Sequence, residues 1–290
     1  MKKAYVALLF CLSQICSSHC FSLSREFISV QKLLDTGQLG SRIKSLGGHS
    51  GRCIEWELQN NNSDSLYVWI EAGRKLDSDN PGEQDILVVR HERVALGPRE
   101  STKVAVEGVC CQATNSSPET ESSYSPGKMA PDVWVLIANY ISASDFPSEV
   151  VQHTIWVLSD EHDIRSIPAI QGFSTQALRE KVAEVLDIDL PWYSFDYSDD
   201  SLELFSGERS HIFAEIPYEI PFHAIIGGVI YDATGKIVYQ SPMYNARTGK
   251  NVFVLNASIA GWPNGRYTFE ILEDLHTVNQ YRAFSLDDNG

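Results

Sequence analysis

The feature that most constrains the fold is a series of short segments in which apolar and polar residues alternate. In residues 53–58, Ile54, Trp56 and Leu58 share one face of a strand, and two glutamates share the other. Further strand-like segments, some alternating and others continuously apolar, β-branched or aromatic, lie at residues 66–70, 85–89, 101–111, 210–216, 224–231, 236–239, 252–255 and 266–272. Strands of this length and spacing are typical of antiparallel sandwiches, and we therefore expect a mainly β protein.

Apolar residues at helical spacing interrupt this pattern in three places. Residues 132–141 and 148–158 predict two helices after the first group of strands. Residues 174–186 predict an amphipathic helix, in which Leu178 and Val182 belong to one apolar stripe. This third helix lies between the two groups of strands, so we interpret it as a spacer or a brace between two domains.

The predicted architecture is two β-sandwich domains joined by an amphipathic helix. The first domain covers residues 22–168 and carries the two inserted helices. The helical linker covers residues 169–194, and the second domain covers residues 195–290. At this length a chain readily forms two domains, each with its own core.

The amino terminus has the pattern of a cleaved secretory signal at residues 1–20. Lys2 and Lys3 precede a largely apolar run that ends at Ile15, and small residues follow. This run is too short to span a bilayer, and no later segment is long and apolar enough to do so. We therefore expect an exported protein, secreted or held at the cell surface, without a transmembrane span.

Charge and motif content exclude several function classes. The formal net charge of −15 argues against nucleic acid as a partner, because nucleic acids bind basic surfaces. The glycine pairs at residues 47–48 and 227–228 lack the features of a phosphate-binding loop, and we expect no cofactor. His153 and His162 are nine residues apart, which does not suit a metal site. No Gly-x-Ser-x-Gly motif marks a hydrolase, and we expect no catalytic residues.

Three of the six cysteines, Cys53, Cys110 and Cys111, remain once the signal is removed. Export places them in an oxidising compartment. By strand alternation Cys110 faces the core, whereas Cys111 and Cys53 fall on the glutamate-bearing faces of their strands. A Cys53–Cys111 disulfide would then leave Cys110 as a free thiol. A Cys53–Cys110 pair is the alternative, and the sequence does not decide between them.

A thiol and a carboxamide with complementary chemistry lie in two separate segments. Cys110 lies at the end of an alternating run, and Gln152 shares a face of the second predicted helix with Trp156. In an internal thioester the cysteine sulfur attacks the glutamine carboxamide, ammonia leaves, and a partner amine or hydroxyl later takes the acyl group. Trp156 would screen the bond from water. The alternative is an ordinary core, because buried free cysteine is common and inert.

These segments also resemble a known family. Residues 109–111, Val-Cys-Cys, and residues 151–156, Val-Gln-His-Thr-Ile-Trp, resemble the two motifs of the thioester domains of bacterial surface adhesins. The resemblance covers roughly residues 45–167. It implies an adhesin-like module in which Cys110 and Gln152 are joined.

The carboxy-terminal part resembles a second group, the Ig-like carboxy-terminal modules of exported bacterial proteins. Residues 231–239 and 264–269 carry this resemblance. It implies that residues 195–290 form an Ig-like sandwich.

The function that we expect is that of an exported, non-enzymatic protein that binds or adheres at the cell surface. Its ligand is unknown, and a protein amine and a glycan are both compatible with the sequence. One alternative is a covalent adhesin with a Cys110–Gln152 thioester. The other is a secreted hydrolase with an Ig-like accessory module, for which no acid–base or nucleophile set is visible.

Overall fold

The computed structural model describes residues 26–170, 175–198 and 207–287 of the chain. Seventeen strands, four α-helices and one short 3-10 helix lie in this described part. The prediction of a mainly β protein is therefore confirmed. The predicted signal at residues 1–20, with its cysteines, lies outside the described residues.

The amino-terminal region contains nine strands and one short helix. Their bounds are β1 Ile28–Ser29, α1 Val30–Asp35, β2 Leu39–Ser45, β3 Ser50–Asn60, β4 Leu66–Ile70, β5 Arg74–Ser78, β6 Ile86–Val88, β7 Glu92–Leu96, β8 Ser101–Cys110 and β9 Ser123–Met129. Six of these strands close into a barrel in the order β2-β3-β8-β6-β5-β9, and β1, β4 and β7 form a separate three-stranded sheet. Barrel and sheet share one group of buried apolar residues, the barrel core, which includes Trp56, Val68 and Val106.

A closed barrel is a different arrangement from the open sandwich that the sequence suggested for this region. Closure depends on β2 and β9, which pair with each other as well as with β3 and β5. Neither strand was expected. The sequence of β9 contains Pro126 and Gly127 and lacks alternation, so only its neighbours in the fold make it a strand.

Three helices and the 3-10 helix form a layer on one side of the barrel. Their bounds are α2 Asp132–Ser142, α3 Ser148–Ser159, the 3-10 helix Ile164–Ser166 and α4 Thr175–Leu186. The two helices that we expected in the first domain are thus confirmed. Apolar residues of this layer, together with Val109 and Cys111, form the helical-layer core, in which Leu178 and Val182 of α4 are fully buried. Helix α4 therefore packs on the amino-terminal region and is not an isolated spacer.

The described residues of the carboxy-terminal region form eight strands. Their bounds are β10 Ser194–Tyr197, β11 Arg209–Ile220, β12 Ala224–Tyr231, β13 Ile237–Gln240, β14 Tyr244–Ala246, β15 Gly249–Ser258, β16 Gly265–Glu273 and β17 Thr277–Leu286. One sheet has the order β10-β11-β15, and the other has the order β13-β12-β16-β17 with β14 paired to β12. Both sheets contribute to a single carboxy-terminal core. The packing is tight at Gly228, where an added Cβ would lie 2.5 Å from Phe253 Cζ.

Polar contacts of two arginines join the two regions. The Arg165 Nη1 atom donates to the Tyr193 hydroxyl at 3.1 Å. The Arg179 Nη2 atom of α4 donates to the Tyr193 carbonyl oxygen at 2.6 Å, immediately before β10 begins. The start of the carboxy-terminal sheet is therefore fixed directly to the helical layer.

Candidate functional site

The structure brings Gln152 and Cys110 together through the main chain of Cys110. The Cys110 N–H donates to Gln152 Oε1 at 3.0 Å, and Gln152 Nε2 donates to the Cys110 carbonyl at 2.8 Å. The glutamine side chain thus pairs with the end of β8 as a neighbouring strand would. Both residues are shielded from water, because Gln152 is 2% exposed and Cys110 is fully buried. In this arrangement the carboxamide satisfies one main-chain donor and one main-chain acceptor.

The sulfur of Cys110 lies in an apolar environment that keeps it protonated. The side chain belongs to the barrel core with Cys53 and Tyr124. Burial is the main cause that raises the Cys110 pKa far above its ordinary value. A thiolate is the reactive form of cysteine, so this environment disfavours attack by the sulfur on a neighbouring group.

Trp156 follows Gln152 by one helical turn and is 1% exposed. Its ring contacts two imidazoles, with centroid distances of 5.3 Å to His153 and 6.0 Å to His162. The His153 ring also stacks against Tyr197 of the carboxy-terminal region at 6.4 Å. Burial lowers the His153 pKa to about 4, with smaller contributions from His162 and His49. The tryptophan therefore belongs to an aromatic and imidazole cluster at the contact between the two regions.

The three cysteines of the described part are free thiols, and all are buried. Cys53 does not lie on the face that strand alternation gave it. The pairing of β3 with β8 shifts between Gly51 and Ile54, so Arg52 and Cys53 together lie opposite one residue of β8. This β-bulge turns Cys53 into the barrel core.

The parity argument for the predicted Cys53–Cys111 disulfide is therefore wrong. Cys53 shares the barrel core with Cys110, whereas Cys111 lies in the helical-layer core with Val151 and Ile155. The Cys53 thiol contacts the Gly108 carbonyl at 3.5 Å, and burial raises its pKa to about 11. Of the two pairings that the sequence left open, Cys53 with Cys110 is the one whose members share a core.

A second site lies between α4 and the carboxy-terminal region. It is a cleft of about 580 Å³. The walls of the cleft are formed by α4 and the residues that flank this helix on one side, and by β11 and β17 on the other. Its lining includes Gln176, Arg179, Trp192, Glu215 and Arg282. We call it the α4–β11 cleft.

Sequence reasoning missed Arg179, although a signal was present. Leu178, Val182 and Ala183 of α4 are buried, and Arg179 is one helical turn from the last two on the same side. A charged residue within an apolar stripe is unusual, because burying a charge is costly unless it is paired. Arg179 is 3% exposed.

Neither a metal site nor a membrane-spanning helix is present in the described residues. No group of three or more His, Cys, Asp and Glu side chains in residues 26–170, 175–198 and 207–287 is placed to hold a metal ion. Within the same ranges, no helix is long and apolar enough to cross a membrane.

Comparison with known proteins gives no family for this chain. No protein-family model matches the sequence. No curated protein matches it either. A functional assignment therefore depends on the geometry of the chain itself.

Proposed function

We propose that this chain is an exported, non-enzymatic protein that binds a ligand at or outside the cell surface. In this proposal two β domains, the second of them Ig-like, are joined by α4. The observation that carries the proposal is the α4–β11 cleft, because ligand sites occur preferentially where two domains meet. Its volume of about 580 Å³ suits a small ligand or one unit of a larger one.

The residues that line the cleft suit the non-covalent binding of a ligand. Trp192 and Phe213 give it apolar surface, while Gln176 and Glu215 add exposed polar groups. A few polar groups in an apolar cleft fix the orientation of a ligand and give specificity. Binding of this kind requires no nucleophile and no acid–base pair.

A matched pair of tryptophan variants tests the proposal. Glu215→Trp fills the cleft, whereas Glu219→Trp places the same side chain further along β11, outside the residues that line it. Both glutamates are exposed, so neither change should disturb the core. On an array of glycans and peptides, we expect the wild type and Glu219→Trp to bind the same ligand and Glu215→Trp to lose it. Absence of any ligand, equal binding by both variants, or turnover of the ligand would contradict the proposal.

Covalent adhesion is a second candidate, supported by the contact between Gln152 and Cys110 in a site without water access. The Cys110 sulfur would form a bond to the Gln152 carboxamide carbon, the C–N bond would break, and the thiol proton would leave with the ammonia. Methylamine would then open the thioester, restore the thiol and remain on residue 152 as an N-methyl amide.

Two cysteine variants test this candidate. If the thioester forms, peptide mapping should find methylamine on residue 152 in the wild type and in Cys111→Ala, but not in Cys110→Ala. An unlabelled wild type would exclude the thioester and leave the non-covalent proposal intact.

A further inference from the structure

Two arginines line the α4–β11 cleft, and each has hydrogen-bonding capacity left over. Arg179 uses Nη2 to donate to the Pro191 carbonyl at 3.2 Å and to the Tyr193 carbonyl at 2.6 Å. Its Nε atom is buried and has no partner among the described residues. The Nε atom of Arg282 is also buried without a partner in the described part of the chain. A buried polar nitrogen without an acceptor costs stability, so an acceptor supplied by a ligand would be favoured here.

Neither guanidinium has a carboxylate as a direct partner among the described residues. Arg179 is accordingly a buried cation held only by neutral carbonyls, and burial lowers its pKa to about 10. The guanidinium of Arg282 lies over the Trp192 ring, with Cζ 5.8 Å from the centroid. Trp192 is held in turn by a bond from its Nε1 to the Ala283 carbonyl at 2.9 Å. Neither cation is thus in direct contact with a carboxylate of the described residues, and Asp163 acts on Arg179 only at a distance.

The local charge of the cleft is opposite to that of the molecule. The chain has a formal charge of −15, yet the lining of the cleft contains two arginines and one acidic residue, the exposed Glu215. An anion that enters the cleft would neutralise buried positive charge, which a neutral ligand would not do. Arg179 commits Nη2 to two carbonyls, so its remaining N–H donors and those of Arg282 are the groups that can donate charged hydrogen bonds to the oxygens of a carboxylate.

The rest of the lining indicates what is attached to this carboxylate. The volume is well above that of a bare anion. Gln176 and Glu215 offer exposed donors and acceptors, and Trp192 and Phe213 offer apolar surface. A sugar ring has hydroxyl groups that hydrogen-bond to polar side chains and C–H faces that pack on apolar ones. A carboxylate on a sugar ring offers a partner for each of these groups.

We propose that the α4–β11 cleft binds the carboxylate-bearing sugar unit of an acidic glycan, with Arg179 and Arg282 as the carboxylate-binding residues. This inference rests on the proposed binding function and names its ligand class.

Isothermal titration of the full mature chain with four probes tests the assignment. The probes are D-glucuronate, D-galacturonate, D-glucose as the uncharged analogue, and acetate as the bare carboxylate. We expect at least one uronate to bind more tightly than both glucose and acetate, by about tenfold or more, because charged hydrogen bonds contribute more than neutral ones. The uronate that binds better identifies the preferred sugar.

Arginine variants locate the site. Arg179→Lys and Arg282→Lys keep the charge but remove the fixed N–H donors of the guanidinium, and each should weaken uronate binding about tenfold or more. Arg209→Lys is the matched control, because Arg209 also has a buried Nε without a described partner but does not line the cleft. It should bind as the wild type does. Circular dichroism verifies that each variant is folded.

The outcomes separate this inference from the proposed function. Equal binding of glucose and the uronates would overturn the carboxylate assignment but leave the cleft as a ligand site. No uronate binding by the wild type would overturn the inference, and loss of array binding in Glu215→Trp would still support the proposed function. Uronate binding that Arg179→Lys and Arg282→Lys do not weaken would overturn the inference as well.

Discussion

Gln152 and Arg179 are both buried polar side chains on helices of the same layer, but they differ in how fully they are hydrogen-bonded. The Gln152 carboxamide uses both its oxygen and its nitrogen on the main chain of Cys110. Arg179 has a buried Nε with no partner in the described residues, and it carries a full charge. We therefore expect the environment beside Cys110 and that of the α4–β11 cleft to differ in their effects on stability and on ligand binding.

A satisfied buried polar group stabilises the fold and leaves little capacity for a ligand. An incompletely satisfied cation costs stability in the free protein and gains it when an anion arrives. We therefore assign a structural role to the contact beside Cys110 and a binding role to the cleft. Three predictions test this distinction, in decreasing order of the expected effect.

Removal of the Gln152 carboxamide should give the largest effect. Gln152→Leu leaves the buried carbonyl of Cys110 without this donor, and we expect the free energy of unfolding to fall by about 2–4 kcal/mol. Urea denaturation of the full mature chain measures this loss in the free energy of unfolding. Gln240→Leu, at an exposed glutamine of β13, is the control and should change stability by less than about 0.5 kcal/mol. A loss below 1 kcal/mol in Gln152→Leu would show that the contact is not structural.

Acid should separate the two environments, because the half-buried His153 lies next to Gln152, whereas no histidine is among the described residues that line the cleft. The His153 pKa is about 4 in the folded chain and 6.5 ordinarily, so the unfolded chain takes up this proton first as the pH falls. The stabilising contribution of the neutral imidazole is complete above pH 6.5 and is lost as the pH falls toward 4. We expect the wild type to lose about 2 kcal/mol from this group between about pH 7.5 and about pH 5.

Urea denaturation at the two pH values measures this loss in His153→Gln and in the control His223→Gln, an exposed histidine. The difference between the two pH values should shrink in His153→Gln and stay unchanged in His223→Gln. An unchanged difference in His153→Gln would show that this imidazole is accessible to protons in the folded chain.

Arg179→Met should give the smallest effect on the free protein. The variant loses two bonds to carbonyls but also removes a buried cation that has no anionic partner, so we expect stability to change by about 1 kcal/mol or less. The same variant should abolish any rise in melting temperature that a uronate gives the wild type. A destabilisation as large as that of Gln152→Leu would mean that Arg179 is structural, and the distinction between the two environments would fail.

Local periodicity was enough to predict the elements whose burial follows one simple pattern. The helices at residues 132–141 and 148–158 match α2 and α3 closely, and the strand at residues 224–231 matches β12. In the two helices apolar residues recur at the helical period, whereas the strand is a continuous apolar run that ends at a turn. Closure of the barrel was not predictable in this way. The strands β2 and β9 pair with each other although they are far apart in the sequence, and no local pattern marks that pairing.

The candidate sites show the same limit. The Cys-Gln pairing was visible as a motif, but its contact through the main chain of Cys110 depends on how α3 docks on β8. The face of Cys53 was mispredicted because a β-bulge shifts the register by one residue. The cleft combines α4 with β11 and β17, and no local pattern predicts that these elements meet.

An NMR titration observes both environments in one experiment. The ¹⁵N-labelled mature chain is titrated with D-glucuronate or D-galacturonate, and the signals of the side-chain N–H groups are recorded. Assignment uses the Gln152→Leu, Arg179→Lys and Arg282→Lys spectra. We predict that the Nε–H signals of Arg179 and Arg282 shift together and saturate, while the Gln152 carboxamide signals stay in place. Shifts at Gln152 with unmoved arginine signals, or no saturable shift at either arginine with either sugar, would contradict the account.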